Sequence, residues 1–159
     1  MKKASIVFLL LTVLIVISAA AQDFESAKLQ FISFNFCVPV GYDLGAEEII
    51  AGYNFGFAIP VAEKMEIGFD KTVISARAFN LFRISFDFTE KFGAALSVGA
   101  ETGITPAAAV SLGFYANLMQ ARAASGIAYK LGLRADFMTN TDAFDEGVIL
   151  IGLCMGFGL

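Results

Sequence analysis

Nine charged side chains fall within segments of this chain that alternate with a period of two. They are Glu66, Asp70, Arg77, Arg83, Asp87, Glu101, Lys130, Arg134 and Asp136. All nine share one parity of the alternation, so they gather on one face. Carboxylates and cations held together in this way can do acid–base work in principle. Histidine would be the usual partner, and the chain has none. That removes Ser-His and Cys-His nucleophile pairs and the usual zinc sites. The glycines fall at strand spacing rather than ahead of helices, so no phosphate-cradling loop is present. No catalytic residue, cofactor or metal ligand is expected. Four basic and five acidic side chains on one enclosed face point to mutual neutralisation, a plug of paired charges. The alternative is a constricted polar path or a ligand cup.

The elements that position these charges are strands. The last one shows the pattern best. Ile149, Ile151, Leu153, Met155, Phe157 and Leu159 line one face, and Val148, Leu150, Gly152, Cys154, Gly156 and Gly158 the other. Eight such segments are readable, at about 29–42, 50–61, 65–72, 75–88, 92–104, 107–118, 125–137 and 148–159. Most reach the roughly 9–11 tilted residues that cross a bilayer. The links between them are short, which suits an antiparallel meander rather than parallel crossovers. In this reading thirteen of the 15 glycines share the charged parity, with Gly45 and Gly147 in links. Lys71 falls in the third link, and Leu131 faces outward near the middle of the seventh strand.

Composition says which face meets lipid. The chain is 57% hydrophobic with a mean hydropathy of +0.71. Beyond the amino terminus it has no run of about 18 apolar residues that would make a spanning helix. Only helices and closed barrels satisfy their backbone groups in lipid, so a barrel remains. A soluble secreted barrel binding an apolar ligand would need the charged parity outside, yet that parity is mostly Gly, Ala and Ser.

The amino terminus reads as a secretory signal. Lys2 and Lys3 precede an apolar core from Ile6 to Ile17, and Ala19-Ala20-Ala21 offers a cleavage site. Residues 1–21 are therefore expected to be removed near Ala21, leaving 22–159 as one domain. Nine basic and fifteen acidic residues then give a formal charge of −6, which argues against a nucleic-acid partner.

The closing run Ile151, Leu153, Met155, Phe157 and Leu159 resembles the assembly signal of small eight-stranded outer-membrane barrels, typified by the OmpA membrane domain, OmpX and OmpW. The resemblance covers nearly all of the mature chain. It implies an all-β fold, an eight-stranded antiparallel up-and-down transmembrane β-barrel, with both termini on the periplasmic side. It also implies outer-membrane lipid and the barrel assembly machinery as partners. Where that family usually ends in an aromatic residue, this chain ends in Leu159, and it has no Trp for its interface belts. The role expected is structural, in the envelope, with a narrow conduit for small solutes as the alternative.

Cys37 and Cys154 lie inward on the first and last strands. Closure makes those strands antiparallel neighbours. The two cysteines are directly opposed if Ile32 meets Leu159, because both pairs then share the index sum 191. An oxidising compartment would let a bridge persist. Two small buried free thiols are the favoured reading, with the bridge as the alternative.

Overall fold

The computed structural model describes residues 32–159, apart from 76, 104–105, 125 and 143. The expected signal peptide and its cleavage site lie outside the described residues. The strands are β1 (Ser33–Asp43), β2 (Glu48–Ala62), β3 (Met65–Ile74), β4 (Arg77–Asp87), β5 (Phe92–Thr102), β6 (Ala107–Arg122), β7 (Ala128–Asn140) and β8 (Val148–Gly158). Each pairs antiparallel with the next, and β8 pairs with β1, so the sheet closes with no free edge. A 3₁₀ turn, Phe144–Glu146, precedes β8.

The apolar parity faces outward. Among the described residues, twenty-three large apolar side chains are exposed, including Val38, Phe55, Leu96 and Met155. This orientation is opposite to the one a soluble barrel requires. Aromatic pairs reinforce neighbouring strands on this face: the Phe34 and Phe157 rings stack at 5.4 Å across the β1–β8 seam.

Several boundaries differ from the sequence expectation. β6 continues past Leu118 because a bulge between Asn117 and Met119 restores its alternation against β7. Gly103 lies beyond the end of β5 and Gly126 before the start of β7, in links rather than strands. Gly126 takes φ 88°, a turn conformation. β3 runs on to Ile74, paired with Arg77, leaving a two-residue link that Ser75 opens with φ 49°. Lys71 is consequently a strand residue, exposed and on the outward parity. Asn80, also outward, is its partner on β4.

Pairing also fixes the tilt. From Ser33 the partners run through Ala58, Gly68, Arg83, Ser97, Ser111, Met138 and Val148 to Asp43, ten residues further along β1. A stagger of ten over eight strands corresponds to a tilt of roughly 45°. At constant height each strand is therefore offset from its paired neighbour by about 1.25 residues. On that scale Glu66, Asp87, Asn117 and Lys130 stand level with Ser33, near the terminus side, the end where β1 begins and β8 finishes. Asp70, Arg83 and Arg134 stand about four residues higher, and Arg77 is level with Asp43 at the other rim. Lys71 comes out close to half-way between the rims. Leu131 points outward but lies at the terminus-side rim, not mid-strand.

Candidate functional site: the layered lumen

The lumen holds four layers. At the rim away from the termini, Arg77 Nε donates to Glu101 Oε1 at 2.6 Å and Nη2 to Glu101 Oε2 at 3.0 Å. Its Nη1 donates to Asp43 Oδ2 at 3.2 Å and to the Glu146 carbonyl at 2.9 Å. One guanidinium on β4 thus ties β5, β1 and the β7–β8 link across the mouth. Asp43 also accepts the Gly45 and Ala46 amides, which sets the β1–β2 turn. Asn140 donates to Glu101 at 3.0 Å.

Beneath this latch lies an apolar seal. Ile50, Ile74, Phe79, Leu81, Met138, Val148 and Leu150 pack on the inward parity as one buried cluster, with Phe79 and Leu81 wholly enclosed. The plug is therefore not made of charge alone. The same alternation that placed the charges places these side chains inside.

The third layer is a buried ion chain. Asp70 is the hub. Its carboxylate accepts both oxygens' worth of contact from Arg83 Nη1, at 2.9 and 3.0 Å, and a hydrogen bond from Arg134 Nη1 at 2.7 Å. Arg134 Nε donates in turn to Asp136 at 2.9 Å. Two cations and two anions balance, as buried charges must. Glycine makes the room: a Cβ at Gly56 would collide with Asp70 Oδ1, and one at Gly113 with Asp136 Oδ1. Next to the chain, Asn54 donates to Thr72 Oγ1 at 2.7 Å.

The fourth layer, on the terminus side, is an open cup. It holds Glu66, Asp87 and Lys130 around Tyr115. The Tyr115 hydroxyl donates to Asp87 at 2.7 Å, and Lys130 Nζ stands 5.2 Å from the Tyr115 ring centroid. A cavity of about 60 Å³ occupies this half of the lumen. All nine sequence-selected charges thus face the lumen, but they form three groups rather than one network. Asp87 and Glu101 do not reach the central arginines, whose carboxylates are Asp70 and Asp136. Asp43, Thr72, Tyr115 and Asn140 are polar members that the sequence reading did not select.

Cys37 and Cys154 are partnered across the β1–β8 seam and joined as a disulfide. The Leu159 amide donates to the Ile32 carbonyl at 3.1 Å, which sets the 191 register. Leu153, Met155, Phe157 and Leu159 of the closing run are exposed on the outer face, and Ile151 is half-exposed there. Among the described residues no three His, Cys, Asp or Glu side chains converge as a metal site.

No protein-family model matches the chain, and comparison with curated proteins finds no match. Among solved structures it is similar to one described as "De novo design of transmembrane beta-barrels", with 13% identity and a TM-score of 0.47 over 84% of this chain and 98% of that one. By its own strand pairing, the chain is a closed eight-stranded antiparallel up-and-down β-barrel, the architecture of membrane-spanning barrels.

Proposed function

We propose that this is an exported bacterial outer-membrane protein whose barrel spans the lipid and whose lumen is shut, so that its role is structural in the envelope rather than conductive. The single observation that carries the reading is the pairing of an apolar outer belt with an interior closed twice over, by the apolar seal and by the Asp70 ion chain. A large apolar surface on a monomer marks contact with lipid or a partner, and a closed barrel can enter lipid without exposing backbone groups. In this reading residues 1–21 direct export and leave near Ala21. The termini face the periplasm, and the run Ile151 to Leu159 serves the barrel assembly machinery. Outer-membrane lipid is then the principal partner. Purified mature protein in a planar bilayer is expected to show no sustained, unitary channel steps. Steady single-channel conductance would replace the sealed barrel with the conduit.

A further inference from the structure

The terminus-side cup is lined by buried hydrogen-bond donors that meet no acceptor. Arg83 and Arg134 both line the cavity and are nearly enclosed, and each keeps one buried guanidinium nitrogen without an acceptor, Arg83 Nε and Arg134 Nη2. Lys130 lines the same cavity, and no carboxylate of the described residues lies within ion-pairing distance of it. The carboxylate on the cavity wall is Glu66, whose side chain receives no hydrogen bond from the described residues. Asp87 is engaged by Tyr115, and Asp70 and Asp136 are consumed by the ion chain. Buried donors left without acceptors in a native fold are groups that a bound water or ion can satisfy. The space, about 60 Å³, is room for roughly four waters or one small ion.

We propose that the cup binds a small oxyanion that carries its own proton, a hydrogen phosphate group, either as the free ion or as the end of a small phosphate monoester. Lys130 supplies the charge-assisted bond to the oxyanion, with the spare N–H groups of Arg83 and Arg134 behind it. Glu66 accepts the ligand's P–O–H. That carboxylate gives the site its selectivity, because an anion without a proton meets it acceptor to acceptor. Sulfate has nearly the same size and shape as phosphate and carries no proton at neutral pH, so it is the discriminating probe. The proposal depends on the barrel and its cup, not on which membrane holds it.

The experiment uses the mature protein folded in a phosphate-free detergent, with amide chemical shifts followed during titration with inorganic phosphate, sulfate and glycerol phosphate. Saturable shifts around Lys130 and Tyr115 are expected with phosphate, with sulfate at least tenfold weaker. Glycerol phosphate binding within tenfold of phosphate assigns an ester-borne ligand, and its exclusion assigns the free ion. Lys130→Gln is expected to weaken phosphate at least tenfold, and Glu66→Gln to erase the preference over sulfate. The wild-type comparison needs no variant to fold. The proposal is overturned by non-saturable shifts, by equal binding of phosphate and sulfate, or by a folded Lys130→Gln protein that binds phosphate unchanged.

Discussion

Asp70 compensates two arginines at once. With no exposed surface of its own, it faces Arg83 and Arg134 at 2.7–3.0 Å. Replacing it by asparagine keeps the shape and removes the charge, leaving both cations beside a single remaining carboxylate, Asp136. Breaking a buried pair in this way costs about 3–5 kcal/mol. Asp70→Asn is accordingly expected to lower the free energy of unfolding in lipid vesicles by that amount, read from urea titration by gel mobility. A loss under about 1 kcal/mol would mean that water reaches the cluster and shares its charge. The parity of Asp70 was legible from the residues around it. Its role as the hub was not, because partners on β3, β4 and β7 come to one height only after the stagger of ten is known. The apolar seal was legible in the same sense: Phe79 and Leu81 alternate with outward Ala78, Asn80 and Phe82.

At the scale of strands, the stagger converts sequence position into depth. Leu96 on β5 faces outward about four residues above the level of Ser33, whereas Leu131 on β7 is almost level with it. An arginine facing lipid costs about 2–4 kcal/mol at the midplane and about 0–1 near the interfaces. Leu96→Arg is therefore expected to impair assembly far more than Leu131→Arg, and Lys71→Leu to stabilise the barrel by up to about 2 kcal/mol, since a long stem relieves part of the native cost. Folded yield in vesicles checks all three, and equal effects at Leu96 and Leu131 would contradict the assigned tilt. The third link was misread because Lys71 resembles a turn residue in composition. Only the pairing of Ile74 with Arg77 shows the strand passing through it. The seam carries its own test. With Cys37 and Cys154 bonded, unreduced protein from fresh membranes should gain no alkyl groups in mass spectrometry. Two alkylated thiols would remove the staple from the seam.

At the scale of the molecule, the chain puts its apolar surface outside and encloses its polar groups in layers, the reverse of a soluble domain. Strand number, antiparallel order and the outward face could all be read from alternation and short links. The division of the lumen into latch, seal, ion chain and cup could not, since it arises from how eight tilted strands superpose. The central claim is that this barrel has lipid as its solvent. Its most direct test is to dilute the denatured chain of residues 22–159 into lipid vesicles and into buffer alone. The account predicts that the chain folds only with lipid, floats with the vesicles after an alkaline carbonate wash, and migrates differently on a gel before and after boiling. A folded, monomeric protein that stays in aqueous buffer with no vesicles or detergent would contradict it.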